Sequence, residues 1–435
     1  MVHGEAVMRI DLMVAWLGLA YAARAASDPI QVLRRATQQV IASLREMPNC
    51  TCVEDVTRDY YEPAASTLPR ACPVLLEQRR HPTPDLALRL FSSDRLRLEV
   101  AMDRKGELFS WLGATRFEDT GIESVVRHGP IGSGSFGGYL TAIFETDADS
   151  YTVGGPVMVD GRELLEYRFR VARPASHFMV RLNDSWVYVP YSGSFQVDPG
   201  TADVIRMSIS TGDLPPATKL CQGIVRIELA RVAIGESQYL LPLEARERFI
   251  APTGQETENI STFGRCREFR GDSSVTFFSG SSGGANRTSS VVALIPFVPA
   301  GLPFSFRLTA PINTATAAGG DPFTAKLAEP IRNGQKIVVP AGSLVEGRLI
   351  RVQRFYRHPE AVVLMEPEAV WVKGQRVPIH ATRDWSRELQ AVRKQGKKNL
   401  QIFLPFVGEG DAGVFRFPGE HLVVPAGFVS SWKTR

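Results

Sequence analysis

Alternation with a period of two, repeated between tight turns, is the feature that most limits what this chain can fold into. In Leu96-Arg97-Leu98-Glu99-Val100 the apolar residues face one way and the charged ones the other, which describes a strand with one wet face. Comparable runs fall at 50–61, 86–91, 95–102, 107–112, 151–159, 164–171, 178–182, 186–191, 194–197, 204–209, 224–234, 239–249, 266–269 and 275–278. Turn residues separate many of them: Asp103-Arg104-Lys105-Gly106, Asp160-Gly161, Asp198-Pro199-Gly200 and Gly235-Glu236. One segment breaks this rule. After Asp28-Pro29, an N-cap and first-turn pair, Leu33, Ala36, Val40, Leu44 and Met47 recur every three or four residues until Pro48. That is an amphipathic helix, and 137–145 reads as a second, shorter one. An antiparallel sheet with one wet face must bury the other, and these helices are the available cover. The fold class expected is mainly β with a few helices (α+β): an antiparallel half-barrel under a helical lid, then a smaller all-β sandwich or barrel.

The division comes from composition. Residues 279–290 are Ser, Gly, Ala, Asn, Arg and Thr only, a flexible linker. It separates a helix-plus-hairpins region, 26–278, from an all-β region, 291–435. In the second region short strands are expected at 304–309, 323–327, 337–339, 344–352, 362–365, 370–372, 377–380, 400–403 and 422–424. Val-Pro-Ala-Gly occurs there at 298–301, 339–342 and 424–427, with Pro second and Gly fourth as in a type I turn.

Residues 10–19 form one apolar run, interrupted by Asp11, and Ala23-Arg24-Ala25 offers small residues at the two positions a signal peptidase reads. The run is shorter than the ~20 residues of a membrane span. Removal of 1–25 as a signal peptide is therefore expected, with a periplasmic or secreted mature chain carrying no transmembrane span. Export permits disulfides among the five cysteines. Cys50 and Cys52 face the same side of a strand and cannot easily bond each other. Cys72 could take one of them, Cys52 included, and Cys221–Cys266 is the favoured bridge.

Catalytic signatures are scarce. Gly132-Ser133-Gly134-Ser135-Phe136-Gly137 satisfies G-x-G-x-x-G, but no acidic residue on a following parallel strand accompanies it, so it reads as a turn entering a helix. No metalloprotease, P-loop or nucleophile-elbow pattern is present, and no cofactor or metal is expected. A hydrolase with a non-local triad would draw on His128, His177, His358 or His380. The 50 basic and 46 acidic residues leave a net charge of +4, too even for a nucleic-acid binder. The basic stretch 383–398 has the single aromatic Trp385 and reads as a solvated loop.

Two resemblances follow from particular residues. Tyr191-Ser192-Gly193-Ser194-Phe195-Gln196-Val197-Asp198-Pro199, followed by Val204-Ile205-Arg206-Met207, looks like the late hairpin of bacterial periplasmic lipoprotein carriers and their sensor relatives, the LolA/RseB type. That resemblance implies a half-open barrel whose concavity holds acyl chains beneath a helical lid. More weakly, 323–330 followed by 337–348 resembles the C-terminal β domain of TrbI-type conjugation scaffolds, which implies assembly. The expected function is a non-enzymatic envelope protein that binds an acyl chain, lipoprotein or apolar peptide in the first region and docks an envelope partner through the second. A ligand-free envelope scaffold is the alternative, and a hydrolase the third reading. Leu33, Val40 and Leu44 of the helix, over Leu98, Val100 and Leu108 of the sheet, are the ligand-binding candidates.

Overall fold

A computed structural model describes residues 28–64, 70–81, 87–103, 106–114, 117, 121–127, 129–148, 150–182, 185–212, 214–268, 297–384, 413–419 and 422–435. The leader 1–25, the strand expected at 275–278, the linker 279–290, the strand expected at 400–403, His128 and most of the basic stretch lie outside them.

Helix α1 (Pro29–Glu46) starts and stops for local reasons. The Asp28 carboxylate accepts the Ile30 amide at 3.0 Å, and Pro29 fills the first helical position. Met47, ahead of Pro48, is already extended at φ −60°, ψ 126°. Its buried stripe is Val32, Ala36 and Val40. After it come β1 (Cys50–Pro63), α2 (Cys72–Arg80), β2 (Leu88–Asp103), β3 (Gly106–Trp111), α3 (Ile122–Val125), α4 (Gly138–Thr141), β4 (Thr152–Val159), β5 (Arg162–Val171), β6 (Met179–Leu182), β7 (Ser185–Tyr188), β8 (Tyr191–Val197), β9 (Val204–Thr211), β10 (Gln222–Ile234), β11 (Ser237–Ile250) and β12 (Glu256–Glu268). One antiparallel sheet runs β3-β2-β1-β12-β11-β10-β9-β8-β5-β4. It stays open: β3 and β4 do not pair with each other. At the β4–β5 turn, Asp160 and Gly161 have φ of 49° and 77°, the two positive values a type I′ hairpin requires. The concave face holds one apolar core, from Val32 and Val40 through Leu98, Val100, Phe109, Phe136 and Ile143 to Phe195 and Ile227.

The second half continues with β13 (Pro303–Leu308), β14 (Ile312–Asn313), β15 (Pro322–Leu327), β16 (Ile331–Asn333), β17 (Lys336–Val339), β18 (Leu344–Phe355), β19 (Glu360–Val372), β20 (Gln375–Pro378), β21 (Ala381–Arg383), β22 (Gly413–Pro418), β23 (Val423–Val424) and β24 (Val429–Thr434). Pairing runs β19-β18-β15-β13-β24-β21, and β20, which leads into β21, pairs with β19, so the strands wrap around a core of their own. Phe306 stacks on the fully buried Trp432 at its centre, 5.8 Å between rings. Two of the Val-Pro-Ala-Gly turns differ from expectation. Ser343 donates to the Pro340 carbonyl and Phe428 to that of Pro425, with Gly342 and Gly427 at φ 77° and 85°. Pro is thus the first residue and Gly the third, which is type II rather than type I.

Disulfide pairing also departs from expectation: the bridges are Cys52–Cys266 and Cys72–Cys221, not Cys221–Cys266. The antiparallel β1–β12 ladder shifts register between Thr51 and Val53, which brings Cys52 to Cys266. Cys72 opens α2, whose Leu75 packs with Cys221 and Ile250. Cys50 is buried and unbridged.

A polar seam joins the halves. Residues 86–91 and 95–102 are expected to be separate strands because Ser92-Ser93-Asp94 interrupts the alternation; β2 runs unbroken from Leu88 to Asp103. Those three residues are buried because the end of β18 pairs with them, Gln353 opposite Asp94 and Phe355 opposite Ser92. Arg58 donates to both Asp94 oxygens at 2.7 Å, Gln353 donates to the Ser92 hydroxyl at 2.9 Å, and Arg351 lies 3.8 Å from Asp94. Gly319 exchanges backbone hydrogen bonds of 2.7 Å with Arg95 and Arg97. At Gly320, φ is 103° and a β-carbon would collide with the Arg97 carbonyl, so only glycine fits.

Candidate functional site

A cavity of about 580 Å³ opens at one end of the concave face. Its floor comes from β3, β10 and β11, through Phe109, Val225 and Phe249. The loop 129–138 forms a wall with Ile131 and Tyr139, and the β6–β7 hairpin covers the mouth with Met179 and Trp186. Among the described residues that hairpin forms a two-stranded sheet of its own. Its neck is fixed by Ser176, whose hydroxyl donates to the Val189 carbonyl at 2.7 Å and accepts the Phe178 amide at 3.0 Å. Met179, Trp186 and Tyr188 are each about half exposed, so this flap presents apolar area both to the cavity and to solvent.

The glycine-rich loop has its own anion. Glu107 points inward from β3, and its carboxylate accepts the amides of Gly134 at 2.5 Å, Phe136 and Gly137 at 2.9 Å, and Gly138 at 3.1 Å. The position a phosphate takes in a nucleotide loop is thus filled by a side chain of the same sheet. Glu247, on β11, faces the other side of the loop. It accepts the Ser135 hydroxyl at 2.9 Å, and a β-carbon on Gly132 would come within 2.5 Å of it. Burial pushes its pKa up to about 7; the Ser135 bond opposes this and the Glu107 charge reinforces it. Glu54, on β1, stands opposite Leu98 and Phe263 and so shares the concave face. Burial raises it to about 8, opposed by a bond from Ser261 and reinforced by Glu107, Glu247 and Asp55.

A second polar group borders the mouth. Buried Asp147 accepts the His177 amide at 2.9 Å and the Tyr191 hydroxyl at 2.7 Å, and also contacts the His177 ring. Burial and the bond to Asp147 push the Tyr191 hydroxyl pKa well up. Among the described residues no hydroxyl is hydrogen-bonded to the His177 ring, so a histidine–aspartate pair is present without an assembled nucleophile. No cluster with metal-ligating geometry occurs among the described residues.

No family model and no curated protein matches this chain. Three solved structures do. A LolA superfamily protein from Nitrosomonas europaea is 8% identical with a TM-score of 0.24, the match covering 56% of this chain and 94% of that one. An outer membrane lipoprotein-sorting protein domain from Vibrio parahaemolyticus is 9% identical at 0.26, covering 56% and 94%. A DUF1329 family protein from Desulfovibrio piger is 10% identical at 0.27, covering 55% and 94%. The first two fall under the family heading that the sequence resemblance names; at such scores they carry no argument about the site, which rests on the geometry above.

None of the six residues expected to bind ligand lines this cavity. Val40, Leu98 and Val100 are buried in the core, with Leu33 and Leu44 packed against it. Leu108 stands opposite Ala101, while its neighbour Phe109 stands opposite Val100, so Leu108 turns to the other face of the sheet. Helix α1 packs chiefly on β4, β8, β11 and the helical segment at 138–146 rather than on β2 and β3. It is tied down there: Tyr167 donates to the Pro29 carbonyl at 2.7 Å and the Leu240 amide to the Ser43 hydroxyl at 3.0 Å. The helix is a filled part of the core, and the flap is the cover. A signal for the cavity lining existed. Glu107 shares its parity with Phe109 and Trp111, Glu247 with Ala245 and Phe249, and Glu54 with Cys52 and Val56. A carboxylate on the apolar parity of a strand marks a face that is not simply core.

Proposed function

We propose that this chain binds an apolar or amphipathic ligand, such as the acyl chain of a lipid or lipoprotein, in the cavity beneath the β6–β7 flap. The observation that carries this reading is the cavity itself. It has the size of small-molecule sites, about 300–1,000 Å³, and apolar walls in Phe109, Ile131, Phe178, Val225 and Trp186. Each buried methylene would contribute ~0.8 kcal/mol, against the cost of association. We place the mature chain in the cell envelope, with 1–25 removed; the two disulfides support an oxidising compartment. The second half, docked on β2, is assigned to an envelope partner. Native mass spectrometry of the purified full chain tests the reading. A co-purified amphiphile, lost on substitution of the cavity wall, is the expected result; bare protein that takes up no added lipid would contradict it.

A further inference from the structure

The carboxylates that line the cavity are Glu107, Glu123 and Glu247; Tyr139, His177 and Tyr191 line it too, and no lysine or arginine does among the described residues. His177 brings no free positive charge, because Asp147 lies against its ring. The amides that meet Glu107 and the hydroxyl that meets Glu247 are neutral donors, so the acidic side chains keep their field. Two further acceptors lie on the same concave face behind the loop. Glu54 is 5% exposed and its Oε2 has no donor; Asn259 is fully buried and its Oδ1 has none, although its amide nitrogen donates to the Pro130 carbonyl at 3.1 Å. Pro130 itself lines the cavity. The charged side of the site is therefore made of carboxylates, with no lysine or arginine beside them among the described lining residues.

Resting on the cavity being a ligand site, we propose that it selects amphiphiles whose polar end is a hydrogen-bond-donating cation, such as a protonated amine, over those ending in a carboxylate or phosphate. An anionic head in this cavity would face like charges with no counter-charge, while an ammonium offsets the lining carboxylates and can donate to Glu107, Glu123 or Glu247. The apolar body would lie against Phe109, Val225 and the flap residues Met179 and Trp186.

The test is displacement of the uncharged dye Nile red from the full chain at pH 8 by decylamine, decanol and decanoate, each below its micelle concentration. Decylamine should displace the dye at a concentration about tenfold or more below decanoate, with decanol between. Glu123→Gln and Glu247→Gln should each narrow the decylamine-to-decanoate gap severalfold, with decanol measured on the same variant as the uncharged reference. Equal potency of the two ions, a preference for decanoate, or a gap indifferent to both substitutions would overturn the proposal and leave the cavity reading standing. Failure of Nile red and of all three probes to bind would remove both.

Discussion

Glu54 and Arg58 stand four residues apart on the same strand and face the same way, yet their surroundings are opposite. Arg58 is buried with a full partner: Asp94 meets it at two 2.7 Å contacts, and the seam with the second half closes over them. Glu54 is buried with no cation beside it; its charged neighbours are other carboxylates, and its pKa rises to about 8. The difference separates two uses of polar groups on one buried face. The compensated pair lies under the seam between the halves, and the uncompensated carboxylate lies on the concave face, with Glu107 and Glu247 of the cavity lining as its charged neighbours.

The compensated side should give the largest effect on substitution. Asp94→Ala removes both 2.7 Å carboxylate contacts of the buried Arg58 and should cost about 3–5 kcal/mol, read as a lower urea midpoint. Loss below about 1 kcal/mol would erase the distinction between seam and site. Next comes the filled end of the concavity. Val40→Trp overpacks the core beneath α1 and should cost about 1–3 kcal/mol.

The uncompensated side should appear in the pH profile. The folded pKa values of Glu54 and Glu247, about 8 and about 7, lie above the unfolded carboxylate range. The folded state then binds more protons than the unfolded one above pH ~4.5, so stability should fall as pH rises from there through about 8 and level off beyond. Glu54→Gln should flatten the upper part of that fall and raise the melting temperature at pH 8. A profile that rises over the same range would contradict the assignment. The smallest effect is expected from cutting the chain at 279–290. Protease should nick this Gly/Ser stretch first, and the two pieces should still elute together, because the β2–β18 pairing and the Gln353–Ser92 and Arg351–Asp94 contacts hold them.

The same polar residues explain what the sequence reveals and what it hides. Helix α1 and the β4–β5 hairpin are legible because their signals are local: Asp28-Pro29 and Pro48 bound the first, Asp160-Gly161 turns the second. Strand β2 is read as two because Ser92-Ser93-Asp94 looks like a break, and its partner is some 260 residues away, Gln353 bonding Ser92. The first part of β12 is missed for a similar reason: Glu256, Asn259 and Ser261 occupy buried positions on it, so hydrophobic alternation is absent. The ligand candidates lie away from the cavity because a helix stripe states that α1 is covered, not by which strands. Its contacts with β8 and β11 are set by tertiary packing. Register also decides Leu108, since a strand carries no label for which face is concave until its partners are known.

The central claim is that the open end of the concavity, not the end beneath α1, receives the ligand. Nile red titration of the full-length wild type beside Val225→Trp and Val40→Trp tests it most directly. Val225 lines the cavity and Val40 lies in the core under α1. The expected result is saturable binding by the wild type and by folded Val40→Trp, with binding lost in Val225→Trp. Binding that survives Val225→Trp but vanishes in folded Val40→Trp would contradict the account and return the site to the helix.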